Sequence, residues 1–264
     1  MDLQLQGKRA LVTGSTVGIG YAVAKLLAQE GAAVTINGRT AKRVEEALAA
    51  LRRDVPGASV TAVSADLSTA EGADALLQAV PAVDILVNNV GIYGAKPFFE
   101  ISDADWLRFF ETNVMSGVRL SRAYLAGMIR KDWGRIVFIS SESAINVPVE
   151  MIHYGLTKTA QLALSRGLAE MTAGTGVTVN SVLPGPTRSE GVEGFVSGLA
   201  QSQAKTPAQV EREFFEHVRP SSLLRRFAEP EEVAAMVTYV CSPLASATNG
   251  AALRVDGGVV RSIV

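Results

Sequence analysis

The sequence predicts an α/β protein: a doubly wound, mostly parallel seven-stranded sheet with helices on both faces. Three observations carry that expectation. Short β-rich runs alternate with longer helical patterns from one end of the 264 residues to the other. Several of the short runs are unbroken apolar stretches, as in strands covered on both faces. A glycine-rich turn joins the first run to the first helical pattern. Strand–helix–strand alternation of this kind implies right-handed crossovers.

In order, the expected strands are Arg9–Val12, Ala33–Ile36, Ser59–Val63, Val83–Val87, Arg135–Ile139, Val177–Val182 and Ala252–Val255. Between them lie helical patterns such as "IGYAVAKLLAQEG", which Gly31 closes as a C-terminal glycine, and "DADWLRFFETNVMSGVRLSRAYLAGMI". No Pro/Gly/Ser linker or internal repeat divides the chain, so residues 1–264 read as one domain. The alternation breaks at Pro184 to Glu229. A segment that long in a compact domain is a functional lid or disordered. Its Phe195, Leu199, Phe214 and Phe215, mixed with charges, fit an amphipathic lid or aromatics that pack the segment onto the body.

Composition narrows the function. The chain is 48% hydrophobic with mean hydropathy +0.22, enough apolar material for one large core. Net charge is −1 and no long run of one sign occurs, which argues against a nucleic-acid face or a polybasic membrane anchor. The single cysteine, Cys241, excludes an intrachain disulfide and fits a reducing compartment. Apolar neighbours (Val237, Tyr239, Val240) make it a buried filler rather than a nucleophile. The start shows no apolar run of signal-peptide length, and no 18-residue apolar stretch follows, so the expectation is a cytoplasmic protein. No His/Cys/carboxylate spacing suggests a metal site, and His153 and His217 lie far apart in sequence.

The turn after the first strand is "TGSTVGIG", Thr13 to Gly20. Gly14 can make the tight bend, while Gly18 and Gly20 let backbone approach a ligand and the sheet. Ser15, Thr16 and Ile19 complete the turn. The helix that follows aims free N–H groups and a partial positive charge at an anion. Strand, glycine turn and helix in this order are the context a dinucleotide-binding Rossmann-like fold requires. The spacing is G-x-x-x-G-x-G rather than G-x-G-x-x-G.

With Thr13 ahead of the first glycine, the turn resembles that of the short-chain dehydrogenase/reductase family, in its compact, 3-oxoacyl-reductase-like branch. Further stretches agree in order along the chain. "NNVG" ends the fourth strand with Asn89 and Gly91, and Val90 stands where the family usually has alanine. Asn113 lies in "ETNVMSG", matching the family's asparagine at a helix irregularity. Ser141 precedes Tyr154 by thirteen residues, and Lys158 follows four later. Pro184, Gly185 and Thr187 match the nicotinamide-side turn, and "RVDGG" matches the last strand and its turn.

The chemistry explains why a phenol should sit one helical turn from an ammonium. Moving a hydride to or from a carbonyl carbon leaves an oxygen that must gain or lose a proton. A free phenol, with a pKa of about 10, is a poor base at neutral pH. Lys158 would place positive charge near the Tyr154 oxygen and lower that value. Two to three units of lowering need roughly 3–4 kcal/mol, within reach of a lysine plus a cationic nicotinamide. The resemblance implies that Tyr154 is the acid/base and that Lys158 also contacts the nicotinamide ribose. It further implies that Ser141 donates to the substrate oxygen and that Asn113 holds a water linking the lysine to solvent. His153 reads as a surface or interface residue, and Glu142 and Glu150 as solvated loop carboxylates.

The second strand ends "TINGRTAKR". Where many NAD-using relatives carry an aspartate, this chain has Gly38, then Arg39 and Thr40. Loss of the carboxylate and gain of a guanidinium favour a 2′-phosphate, hence NADP(H) over NAD(H). Alternatively Arg39 is a solvent-facing turn residue, with Lys42 and Arg43 adding diffuse positive potential. In "SADLS", Asp66, followed by Leu67, resembles the residue that meets the adenine amino group. It could instead cap the next helix, although Ser68 is the better cap candidate.

The variable wall of the site is expected from Tyr93, Pro97, Val147 to Ile152 and the 184–229 segment. These suggest a moderately apolar pocket without selecting a substrate. The leading expectation is an NADPH-dependent carbonyl reductase acting on a small carbonyl or alcohol. A 3-oxoacyl-thioester reductase and a non-catalytic redox sensor are the alternatives. A sugar epimerase or dehydratase would carry T-G-x-x-G-x-x-G, which is absent. Small residues in the helices around Asn113 and Tyr154 permit close packing, and the resemblance implies a homotetramer or homodimer.

Overall fold

The computed structural model describes residues 2–263, except for the side chain of Phe195, which places that aromatic outside the described residues. Seven strands form one sheet in the order β3-β2-β1-β4-β5-β6-β7. They are β1 Arg9–Val12, β2 Ala33–Gly38, β3 Val60–Ser64, β4 Ile85–Asn88, β5 Gly134–Ile139, β6 Val177–Pro184 and β7 Ala252–Val255. Every neighbouring pair is parallel. Helices α1 Gly18–Gln29, α2 Ala41–Asp54, α3 Ala70–Ala79, α4 Asp103–Phe110, α5 Ser116–Arg130 and α6 Ile152–Glu170 follow the first five strands, and α9 Pro230–Val240 precedes β7. Third and fourth strands are shifted one or two residues toward the C-terminus of the expected spans.

The period-2 alternation of side chains divides the strands between two cores. Val12, Ile85, Val87, Val137, Ile139 and Val182 face one layer with Val23, Leu27 and Val237. Leu11, Leu86, Ile136, Phe138 and Val179 face the other with Leu120, Tyr124 and Leu125. Both faces are buried, which is why the strand sequences are continuously apolar. Cys241 is fully buried in the first core, and burial pushes its thiol up to about 12. The chain order reverses between β1 and β4, so a crevice opens at the carboxyl ends of the strands there.

Two expectations change, and the helix irregularity expected at Asn113 takes a definite form. The cap of α3 is Thr69, whose Oγ1 accepts from Gly72 N at 3.0 Å, because the Ser68 hydroxyl is spent on Asp66 Oδ1 at 2.7 Å. The single helical pattern around Asn113 is α4 and α5 joined by a π-helical turn at Glu111–Met115; α4 starts in a Ser102–Asp105 capping box. The long segment after β6 is largely helical: α7 Glu190–Ser202, capped by Ser189, then α8 Pro207–Glu213, capped by Thr206, and a π turn at Phe214–Val218. Its aromatics build a core of their own. Val196, Ala200, Val210, Phe215 and Phe227 cluster with Val192, Leu199 and Phe214, and the Phe214 ring stands 5.1 and 5.2 Å from those of Phe215 and Phe227.

Candidate active site

The glycine turn is held from behind by polar side chains. Gly14 takes φ +59°, a conformation open to glycine. At position 20 a Cβ would lie 2.4 Å from Asn89 Nδ2, so only glycine lets α1 approach this closely. Asn89 Nδ2 donates to the Thr13 and Gly14 carbonyls, both at 2.9 Å. Ser15 sits behind the turn rather than facing the crevice: its fully buried hydroxyl donates to Val12 O at 2.7 Å and accepts from Asn37 N at 3.0 Å. Asn37 was not among the expected site residues. Its Oδ1 accepts from Gly14 N at 3.3 Å while Nδ2 donates to Val63 O and Ala65 O, tying the turn to β2 and β3. The available signal was a polar residue buried at the end of an apolar strand.

A cleft of about 1860 Å³ runs along this edge of the sheet, against roughly 300–1,000 Å³ for an ordinary ligand pocket. Gly14, Thr16, Gly18, Ile19, Gly20, Arg39, Thr40, Asp66, Leu67, Asn89 and Gly91 line it, with Ser141, Tyr154, Lys158, Pro184, Gly185 and Thr187 toward its other end. Helix α1, like α2 and α6, has no side-chain cap, and its first residues line the cleft, where its uncapped amides can meet a ligand. Length and uncapped amides together fit an elongated dinucleotide. Arg39 is exposed and makes no ion pair among the described residues, whereas Arg43 is 3.1 Å from Glu190 and Lys42 is 4.0 Å from Glu46. Asp66 lines the cleft while its Oδ1 accepts from Ser68 N and Oγ. Thr187 Oγ1 donates to Gly185 O at 2.9 Å.

At the far end, α6 brings Tyr154 and Lys158 beside the turn after β5. Lys158 Nζ lies 5.7 Å from the centre of the Tyr154 ring. It donates to Ile139 O at 2.8 Å and Gln161 Oε1 at 3.3 Å. Burial pulls its ammonium down to about 7. Ser141 lines the cleft with Tyr154, and its Oγ accepts from Ser143 N at 3.1 Å. The expected lowering of the phenol is reversed in the protein alone. Burial pushes Tyr154 up to about 12, opposed by the Ser141 hydroxyl and helped by the negative Glu142 nearby.

Asn113 is tied into the site through both its side chain and its backbone. Its side chain clamps the loop after β4: Nδ2 donates to Ile92 O at 3.0 Å and to Thr157 Oγ1 at 2.9 Å, and Oδ1 accepts from Ile92 N at 2.7 Å. Its backbone carbonyl accepts from Gln161 Nε2 at 2.6 Å. Gln161, 1% exposed, had not been singled out in the sequence.

The neighbours also depart from expectation. Glu142 is 3% exposed and ion-paired with Arg219 at 3.1 Å. Burial pushes its carboxyl up against the pull of that guanidinium. Arg219 comes from just beyond the Phe214–Val218 turn and also lies 3.7 Å from Glu150. Only tertiary contact could reveal this, because the partners are 77 residues apart. His153 is buried rather than at the surface, 4.1 Å from the Phe109 ring and 6.0 Å from Trp106. Tyr93 stands edge-on to Tyr154 at 6.4 Å; Val147, Pro148, Glu150 and Met151 line the cleft, and Pro97, Val149 and Ile152 do not. Among the described residues no group of three or more His, Cys, Asp or Glu side chains is placed to hold a metal ion. No helix among them is long and apolar enough to cross a membrane.

Comparison with known proteins places this arrangement. The short chain dehydrogenase family model matches residues 8–199. The uncharacterized oxidoreductase YvaG of Bacillus subtilis is 52% identical over 263 residues, covering all of both chains. The 3-oxoacyl-[acyl-carrier-protein] reductase FabG of Aquifex aeolicus is 34% identical over 263 residues, 98% of this chain and 100% of the other. Among solved structures, L-sorbose reductase from Gluconobacter frateurii, complexed with NADPH and L-sorbose, superposes with a TM-score of 0.94 at 31% identity over the full length of both. With the glycine turn, the parallel sheet and the Ser141–Tyr154–Lys158 grouping in one cleft, the chain belongs to the short-chain dehydrogenase/reductase family of oxidoreductases.

Proposed function

We propose that the protein is an NADPH-dependent carbonyl reductase in which Tyr154 is the proton donor. The observation that carries this reading is a half-buried phenol, held in its protonated form at neutral pH and placed in the cleft with Ser141 and Lys158. A nicotinamide cofactor would supply the hydride. As charge develops on the substrate oxygen, Ser141 donates a hydrogen bond to it and Tyr154 gives up its proton. Lys158 then stabilises the phenolate left behind. The glycine turn, Asp66, Asn89 and the Pro184–Thr187 turn hold the cofactor, with Arg39 and Thr40 on its 2′-phosphate. The bound NADPH of the L-sorbose reductase supports this choice.

The proposed enzyme is a single domain whose 184–229 segment closes over the substrate. The wall made by Glu142, Arg219 and Glu150 carries one net negative charge when ionised. Such a wall favours a neutral, hydroxylated carbonyl over an anionic one, in keeping with the likeness to a sugar reductase. A 3-oxoacyl thioester is the competing substrate, favoured by the Aquifex relative and the apolar Val147, Pro148 and Met151. Exposed Leu107 and Phe110 on α4 and Leu156 on α6 support a homotetramer or homodimer, proposed to be cytoplasmic; light scattering that gave a monomer at micromolar concentration would count against association.

The test is titration with NADPH and NADH, then a panel of keto-sugars, 3-oxoacyl thioesters and simple ketones followed at the nicotinamide absorbance. NADPH should bind tighter, and keto-sugars should turn over fastest. Tighter NADH binding would overturn the cofactor assignment, and binding without any turnover would leave a redox sensor.

A further inference from the structure

Gln161 is buried one helical turn beyond Lys158, on the same face of α6. Its amide uses both ends. Oε1 accepts from Lys158 Nζ at 3.3 Å, and Nε2 donates to the backbone carbonyl of Asn113 at 2.6 Å. That carbonyl lies in the π turn Glu111–Met115, where the wider helical spacing falls between two ordinary helices. Asn113's own amide is committed to Ile92 and Thr157 and does not reach the lysine. Lys158 has three N–H donors. Ile139 O takes one and Gln161 Oε1 another, which leaves the third for the cleft that Lys158 lines.

We propose that Gln161 is a positioning residue for Lys158: its amide bridges the ammonium to the Asn113 carbonyl, aims the remaining N–H into the cleft and sets the pH range in which the lysine is charged. A neutral acceptor suits this task. It stabilises an ammonium in an apolar surround without neutralising it, so the lysine can still change charge near neutral pH. A carboxylate there would hold the lysine charged, and an aliphatic side chain would leave both Lys158 and the Asn113 carbonyl short of a partner. The amide also occupies part of the hydrogen-bonding capacity of Asn113, the residue to which the family resemblance assigns a relay water. The other groups packed on Lys158 are neutral: Ile139 O from β5, the Ser140 hydroxyl, which donates to Lys158 O, and Gly91 and Asn113 beyond. The titratable neighbour is Tyr154, which in turn faces Glu142 and Tyr93.

The inference rests on Lys158's place beside Tyr154 and not on the identity of substrate or cofactor, so its test begins with the protein alone. Stability against urea is measured from pH 6 to 9 for the wild type, Gln161→Leu and Gln161→Glu, each referenced to the same chain carrying Lys158→Met. The difference reports the lysine's titration in the folded state. Gln161→Leu should move that titration acidward, and Gln161→Glu should move it alkaline, each by about one pH unit, a tenfold change in the acid constant. In turnover the alkaline limb of kcat should shift in the same two directions with the carbonyl KM little changed. A structural role alone would lower stability equally at every pH and leave both profiles in place, and that result overturns the proposal. If Gln161→Leu does not fold, the near-isosteric Gln161→Glu decides: an unmoved titration sinks the inference even where carbonyl reduction itself is observed.

Discussion

The sheet body and the α7–α8 insert rest on cores of different size. In the body, residues such as Leu11, Val12, Ile85, Val87, Val179 and Val182 are fully buried in two continuous layers joined through the backbone ladder of seven strands. The insert's core is, among the described residues, a cluster of five buried hydrophobic side chains, and ion pairs of partly exposed side chains, Arg188 with Glu211 and Glu229, link it to α9. Pairs of that exposure contribute little. The difference fits the proposed division between a fixed cofactor floor and a substrate wall able to open: local opening costs least where few apolar contacts are lost. Arg219 marks the seam. It comes from the end of the insert, yet its charge is buried against Glu142, next to Ser141.

The largest expected effect tests the body's chemistry without touching its rigidity. Tyr154→Phe should lower kcat by about 10²–10⁴-fold while NADPH affinity stays within about twofold of wild type, because the cofactor floor is built from other residues. Loss of NADPH binding in parallel would mean the two ends of the cleft are not separable.

Next, Phe215→Ala should destabilise by about 3–5 kcal/mol, and the loss should fall on the insert. Hydrogen exchange should then quicken across α7 and α8 while the amides of β1, β4 and β5 stay protected. Exchange that quickens everywhere would show one cooperative unit and would abolish the comparison.

The pH dependence sharpens it from the body's side. Lys158's folded pKa of about 7 lies below its ordinary value near 10.5, so between these values the unfolded chain binds more protons. Stability from this group therefore rises with pH through that window, by up to about 1.4 kcal/mol per unit, and is lost as pH falls through 7. Urea unfolding from pH 7 to 8, below the range in which Cys241 and Tyr154 begin to act in the opposite sense, should show a rise that Lys158→Met flattens. An unchanged slope would place the charge change elsewhere.

The smallest effect belongs to the rim. Arg39→Ala should weaken NADPH about tenfold, roughly 1.4 kcal/mol, and leave NADH unaltered in the same titration. Equal weakening of both cofactors would show that Arg39 contacts something other than a 2′-phosphate.

Fold class, strand order of appearance and the location of Tyr154 and Lys158 were legible because each depends on neighbours in the chain: apolar runs, a glycine turn between strand and helix, and an i,i+4 spacing on α6. Even the helices of the insert announced themselves locally, through Ser189 and the Thr206–Gln209 capping box, though their length within a supposed loop hid them. Glu142 looked like a loop carboxylate and His153 like a surface residue because no local pattern records burial. Arg219 reaches Glu142 from 77 residues away, and Gln161 reaches the Asn113 carbonyl from 48. By itself the sequence determined the parallel sheet, the dinucleotide-type turn and the residues able to move a proton, since these follow from local periodicity and backbone geometry. Only the tertiary structure decided which charges are buried, that Tyr154 is held as a phenol and that an amide braces Lys158, because desolvation and hydrogen-bond partners are set by segments that meet only when the chain is folded.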